Sequence, residues 1–483
     1  MRQDLGTATL ADGRKINFFP TPIGEGAMKV VYLSEDKRSV ICFYKDVSLS
    51  TDSHRRKRLE LILADYNPIK GSNGDYFQNI FCWQNAIVEK PSLGIITPVY
   101  PDNFVFGAGK FAGKEKQSDW FIKPKLRSMM PKTELGNWKN YLSIAILLAR
   151  AIRRLHQAGL SHSDLSNRNV LIDPQTGRCL IIDIDSLVVP NLFPPDVLGT
   201  RGYIAPEVLK TLHLAFEDPA REYPSHLTDC HALAVLIYQY LLRRHPLEGA
   251  KTYNAATAEE QECLEMGEKA LFIEHPTDDS NRPQDLRISY QCLGDRLVKL
   301  FNRAFIEGLH EPSKRPSALE WERELVKTWD LLHPCDNPNC PEGWFVLQDS
   351  QHGRCPFCDS AVQEPIPLLH LYQKTPSGSL IERSKVAIYH NAMLYQWHAN
   401  DKITLKEGTD RTPQAYCVWH QGQWLLINQN LPQLYSPKGN RVATSPEPGK
   451  TPGAAIALED GSQFLLHKGD NGILAKVEMF LNS

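Results

Sequence analysis

The stretch "HSDLSNRNVLID", residues 162–173, decides how the rest of the chain is read. It follows a long helical signal, "WKNYLSIAILLARAIRRLHQAG" (138–159), whose apolar positions recur at the helical period and which Gly159 closes. It runs out into a short apolar strand, "NVLID". Between the two, His162, Asp164 and Asn169 give the pattern H-x-D-x-x-x-x-N. A loop of this length lets Asp164 face a substrate hydroxyl while Asn169 turns back towards a metal ion. Fourteen residues beyond Asn169, "LIIDIDS" sets Asp183 at the end of an apolar strand, where a carboxylate needs a cation or a backbone amide beside it. Asp and Asn oxygens are the ligands Mg²⁺ prefers, with water and phosphate oxygens completing its shell.

Upstream, residues 14–45 read as strands: "KINFFP", "KVVYLS" and "SVICFYK". In "IGEGAMKVVY", Gly24 and Gly26 lie between strands and Val31 follows Gly24 by seven positions. Glycines there let the backbone approach a triphosphate, and Val31 covers an adenine ring; taken alone, two glycines in a turn mean only a turn. Lys29 stands where a third glycine would be expected. Lys45 ends the next strand, fourteen residues after Val31. A lysine at a strand end is usually solvated; the sharper expectation is that it neutralises the α- and β-phosphates, held by a helix carboxylate. Glu60, in "RLELIL" of the helix predicted over 53–66, is the candidate. "FCWQNAIVE" and "GIITPVYP" add two strands, and "GAGKFAGKEKQSD" (107–119) reads as a mobile loop or insert. Helical stretches then recur at 228–243, 257–272, 287–307 and 317–331. A strand-rich half before a helix-rich half predicts a two-lobed α+β unit.

With these residues in place the chain resembles the protein kinase superfamily over about residues 15–330. "GTRGYIAPEVL" (199–209) is similar to the end of an activation segment, with Ala205, Pro206 and Glu207 as its A-P-E. "LTDCHALAVLIYQYLL" is similar to the central helix, with Asp229 as the acid that braces the catalytic loop. "HPLEG" matches the turn after it, and "PSKRPSALEW" supplies an Arg315 that would pair with Glu207. The resemblance implies ATP and Mg²⁺ as cofactors. It casts Asp164 as base and Lys45, set by Glu60, as phosphate anchor, with Asn169 and Asp183 as metal ligands and Gly24 to Val31 as the covering loop.

The departures are specific. Ser163 replaces the loop arginine, Ser166 a lysine, and Ile184 and Asp185 the last two residues of D-F-G. Arg168, four positions after Asp164, can bring a guanidinium to the same phosphate from another point of the loop. Asp185 is either a second acidic ligand or the cap of the next turn. Since Lys45, Asp164, Asn169 and Asp183 are all present, the expectation is an active protein kinase transferring the γ-phosphate to a protein hydroxyl, Ser/Thr by default with Tyr left open. The alternatives are a nucleotide-binding pseudokinase scaffold and a kinase-fold AMP transferase.

Beyond residue 331 the composition changes. Cys335-x4-Cys340 and Cys355-x2-Cys358 set two thiolate pairs in Pro/Gly/Asn turns, a spacing that selects structural Zn²⁺ and is similar to a zinc ribbon. His333 and His352 flank the pairs as surface residues. The last stretch is strand-rich and reads as a β-sandwich or barrel with Trp397, Trp419 and Trp424 in its core; "ALEDGSQFLLHKGDNG" faintly resembles forkhead-associated domains, whose binding-loop residues cannot be placed. The expected order is an N-lobe at 1–100, a C-lobe at 101–331, a zinc ribbon at 332–362 and an all-β module at 366–483. That architecture also resembles the kinase of bacterial tellurite-resistance phosphorylation triads. The resemblance implies stress signalling, a von Willebrand A-domain protein as substrate and a PP2C-type phosphatase as partner.

The totals agree. A chain of 483 residues is long enough for about three domains. A net charge of -2 gives no whole-chain case for nucleic acid or an anionic membrane, and no apolar run approaches the roughly 20 residues that span a bilayer. The other seven of the eleven cysteines are scattered, several of them inside apolar runs, as in a cytoplasmic protein, and "MRQDLGTATLADGRK" lacks the apolar core of a signal peptide.

Overall fold

Seven strands form the N-terminal sheet: β1 Gly6–Leu10, β2 Lys15–Phe18, β3 Gly24–Glu25, β4 Lys29–Leu33, β5 Ser39–Tyr44, β6 Ala86–Lys90 and β7 Gly94–Pro98. Their order is β2-β1-β6-β7-β5-β4-β3, each pairing antiparallel. The computed structural model describes residues 4–26, 28–45, 53–189, 199–215, 218–347, 353–362, 365–375, 377–445, 453–468 and 472–480, so Ser186 apart from its backbone, most of the segment before Gly199, and His352 lie outside the described side chains. Alternation along β5 sends Cys42 and Tyr44 to one face, where they meet Leu59, Ile87, Leu93 and Ile95; Ile41 and Phe43 go to the other, with Ala8, Val88 and Ile96. Leu59 belongs to helix α1, Ser53–Leu63, which covers the first of these faces.

The helix-rich half is built round the His226–Leu242 helix, buried on every side from Thr228 to Leu242. A helix apolar all round belongs in the middle of a domain. Ser225 and Thr228 cap its start reciprocally, satisfying donors the first turn leaves open. The Trp138–Gln157 helix instead buries one stripe, in which Tyr141, Ala145, Leu148, Ile152 and Leu155 are fully covered. A short hairpin follows, β8 Val170–Asp173 with β9 Arg178–Ile181. The segment at 107–119 is not a detached loop: Phe106, Phe111, Trp120 and Phe121 form one aromatic cluster, and the Lys116 ammonium is buried against Glu134 at 2.7 Å. Aromatic burial outweighs the polar composition that suggested mobility.

The chain divides into two compact units, the first holding residues 1–136, 143–286 and 300–322, the second 137–142, 287–299 and 323–483. In the second, β10 Leu332–Pro334 pairs with β11 Trp344–Val346. Two four-stranded antiparallel sheets follow. One is ordered β13-β12-β19-β18, from β12 Ile366–Lys374, β13 Leu380–Ala387, β18 Gln463–Leu465 and β19 Ile473–Phe480. The other is β14-β15-β16-β17, from β14 Met393–Leu394, β15 Ala415–His420, β16 Gln423–Asn428 and β17 Ala455–Ala457. Both contribute to one core that includes Leu369, Leu371, Leu426, Trp424 and Phe464. Trp419 packs against that core, whereas Trp397 is half-buried and stacks on Tyr395 at 4.4 Å. The fold is thus α+β, with a seven-stranded sheet and a helix-rich part followed along the chain by a cysteine cluster and further β-sheets. Among the described residues no helix is long and apolar enough to cross a membrane.

Arg315 is wholly buried and forms a fork with Glu207, both contacts at 2.7 Å, while also donating to the Gly308, Leu227 and Leu309 carbonyls. Arg315→Met leaves Glu207 and those carbonyls without their donor. The expected cost is about 3–5 kcal/mol, read as a fall in the urea midpoint of the first unit's unfolding transition.

Candidate functional site

Gly159, in the left-handed region at φ 77, ends the Trp138–Gln157 helix and turns the chain into the 162–169 loop. Asp229, 1% exposed within the central helix, accepts the backbone N–H of His162 at 2.7 Å and of Ser163 at 3.3 Å. Ser163 has φ 62, a conformation that costs a non-glycine residue about 1–3 kcal/mol and persists only when its surroundings impose it. Asp229 imposes it here. The result is a fixed Asp164: Thr200 donates to its Oδ1 at 2.7 Å, and the Asn169 amide donates to its Oδ2 at 2.9 Å and its carbonyl at 2.8 Å. Asp164 and Asn169, the two residues on which the sequence argument turned, are therefore joined directly. Arg168 lies on the same loop with its side chain exposed.

Asp183 follows β9 with φ 60 and opens the 184–186 turn. Lys29, from β4, reaches it: the ammonium lies 2.5 Å from Asp183 Oδ1 and 2.6 Å from Asp185 Oδ1. Tyr44, directly across from Lys29 in the β4–β5 register, donates its hydroxyl to Asp185 Oδ2. Asp185 is thus neither a turn cap nor open to a ligand; it is an acceptor for two groups of the N-terminal sheet. Burial and the charge of Asp185 raise the Asp183 carboxyl above its ordinary value. Burial opposes charge at Asp185 too, but Lys29 and the hydrogen bonds it receives hold it below. Burial would lower Lys29, and the two carboxylates outweigh it, so the ammonium stays charged. Burial and Asp185 push Tyr44 well up, which keeps its O–H a donor.

Lys45 and Glu60 do not meet. Lys45 Nζ pairs with Glu25 at 2.6 Å, and Glu60 pairs with Arg56 at 3.0 Å on the solvent side of α1. Two periodicities explain this. Along β5, Tyr44 takes the inward position and Lys45 the outward one. Along α1, Arg55, Arg58, Leu59 and Ile62 form the buried stripe, and Glu60 falls outside it. Arg55 lies over the Tyr44 ring, 4.8 Å from its centroid. Lys29 and Tyr44 are the residues the sequence argument missed. Their signal was present, since Lys29 fills the third position of the glycine pattern and shares a strand face with Val31.

Val31 pairs with Gly24 across the β3–β4 hairpin and joins the cluster around Cys42 and Ile95. Neither Gly24 nor Gly26 has a positive φ, and a Cβ added to either would meet nothing closer than 3.8 Å. The hairpin's own packing does not demand glycine there, so the open backbone fits a ligand's close approach. For the second unit, the Sγ atoms of Cys335, Cys340, Cys355 and Cys358 lie within 4.8 Å of one another, with Cys335–Cys358 at 3.5 Å and Cys340–Cys355 at 3.8 Å. Thiolates 2.3 Å from a tetrahedral Zn²⁺ stand about 3.8 Å apart, so this donor set fits that ion. His333, by contrast, is buried beside Phe345, bonds the Pro334 carbonyl, and is lowered to about 4 by burial.

A family model described as protein kinase domain matches residues 20–323. The "Serine/threonine-protein kinase PSK1" of Saccharomyces cerevisiae is 31% identical over 143 residues, covering 28% of this chain and 10% of that protein. "Serine/threonine-protein kinase PSK2" of the same yeast is 30% identical over 132 residues, 26% of this chain and 11% of the other. This chain therefore aligns with about a tenth of the length of these relatives. A crystal structure of a Toxoplasma gondii specific rhoptry antigen kinase domain aligns at 14% identity with a TM-score of 0.41, over 68% of this chain and 87% of that one.

The cysteine geometry gives a direct expectation. The purified chain should carry about one zinc ion per molecule by elemental analysis, Cys355→Ser should lose it, and chelation should lower the unfolding temperature of the second unit.

Proposed function

The chain belongs to the protein kinase family, and from that premise we propose that it is a phosphotransferase that moves the γ-phosphate of ATP to a hydroxyl of a protein substrate. The observation that carries the reading is the fixed Asp164: both carboxylate oxygens are oriented, one by Thr200 and one by Asn169, on a loop held by Asp229. A carboxylate so constrained needs no reorganisation to take up or orient an incoming hydroxyl proton. Asn169 and Asp183 would supply the oxygen ligands for Mg²⁺, which when bound would neutralise phosphate charge. The Gly24–Val31 hairpin covers the nucleotide, and Arg168 adds exposed positive charge on the loop that carries Asp164. Lys45 pairs with Glu25 of that hairpin and Glu60 with Arg56, and this mechanism gives neither of them a role.

Serine or threonine is the favoured acceptor, a choice supported by the names of the two yeast relatives; the position of Arg168 keeps tyrosine open. The proposed organisation is N-lobe 1–100, C-lobe 101–331, a structural zinc ribbon at 332–362 and a β-module at 366–483 for docking partners. The order of these parts supports a role in bacterial stress signalling, with a von Willebrand A-domain substrate and a PP2C-type phosphatase.

Incubation with Mg²⁺ and ATP labelled on the γ-phosphate should give labelled protein, and Asp164→Ala should lower the rate at least about 100-fold. Asp183→Ala should also abolish transfer. Label arriving only from the α-phosphate would replace this reading with AMP transfer, and nucleotide binding without turnover would replace it with a scaffold.

A further inference from the structure

The geometry points to Lys29 as the cation that anchors the nucleotide phosphates, carried on the glycine-rich hairpin itself and oriented by Asp185 with Tyr44. This rests on the kinase reading and concerns the same site, but it moves two functions to residues no pattern assigned. In the general scheme a strand lysine meets the phosphates and a helix carboxylate orients it. Here the inward strand position is a tyrosine, and the inward stripe of α1 carries Arg55 and Arg58. A lysine at position 44 would face cations on that helix, not an acid. The polarity of the helix contact is reversed, so the pair has to be built elsewhere.

It is built across the β4–β5 register. Lys29 lies one residue pair along β4 from Val31, which faces Gly24, so the lysine projects from the same hairpin face that covers the nucleotide. Its ammonium touches one carboxylate of each kind. Asp183 has a side chain 42% exposed and is the metal ligand; Asp185, at 5%, is enclosed and has its second oxygen occupied by Tyr44. A buried carboxylate with two fixed donors is an orienting group, not a ligand waiting for an ion. An ammonium has three N–H donors. When Asp183 serves a metal ion, Lys29 keeps Asp185 and turns its other donors to phosphate oxygens. The lysine therefore has a permanent anchor and an exchangeable partner. Lys45, exposed and paired with Glu25, has neither.

The test compares Lys29→Met, Asp185→Asn and Lys45→Met in the full chain, measuring Mg·ATP and adenosine binding by calorimetry and phosphoryl transfer alongside. Lys29→Met should weaken Mg·ATP binding at least about tenfold and kcat/KM about 100-fold, while adenosine, which lacks phosphates, binds as in the wild type. Asp185→Asn should weaken Mg·ATP in the same direction, and Lys45→Met should stay within about threefold. Equal loss of adenosine and ATP in Lys29→Met would reduce Lys29 to a structural residue and overturn the proposal. So would full ATP affinity in Lys29→Met, or its loss in Lys45→Met. A wild type that binds ATP but transfers nothing would sink the kinase reading, and the ATP-against-adenosine comparison would still decide the part of Lys29.

Discussion

The geometry of the site depends on one buried carboxylate. Asp229 sits in a helix that is covered on all sides, and its two oxygens take the backbone amides of His162 and Ser163. An unpaired acid in that position would be costly, and unpaired amides would be too. Each therefore holds the other, and the loop they define positions Asp164. The left-handed Ser163 is the visible cost of this constraint. Arg315 and Glu207 do a comparable service further along, tying the segment after Gly199 to the end of the same helix-rich half.

Much of this was legible in the chain because the features are local. The loop pattern from His162 to Asn169, the A-P-E at 205–207 and the paired cysteines all depend on short spacings. Those spacings survive whatever the rest of the fold does. The misplaced residues were those whose meaning depends on which side of an element faces inward. Lys45 and Tyr44 are neighbours, and a one-residue difference in strand phase exchanges which of them faces inward. Glu60 has apolar neighbours in "RLELIL", yet neighbours in sequence lie about 100° apart round a helix. In sequence Lys29 reads as a lost glycine and not as a gained cation, because its two partners lie more than 150 positions away.

The C-terminal region shows the same division. Its strands and four thiols could be read directly, but the arrangement of its sheets could not, since β12 pairs with both the next strand and the last. Trp424 lies in the core as expected, while Trp397 stacks outside it on Tyr395. Position along the chain did not separate the two; packing did.

One detail of that region bears on how the protein is made. Phe480 of β19 shares a cluster with Cys355, Phe345 and Ile366, and Ile366 is its partner across the β12–β19 ladder. The support for the thiol cluster is thus completed by a residue more than a hundred positions downstream. The first unit takes no residue beyond 322, whereas the packing round the thiol cluster is complete only once residue 480 has been made. Until then the four thiols lack part of their apolar cover, and a reducing milieu protects them during that interval.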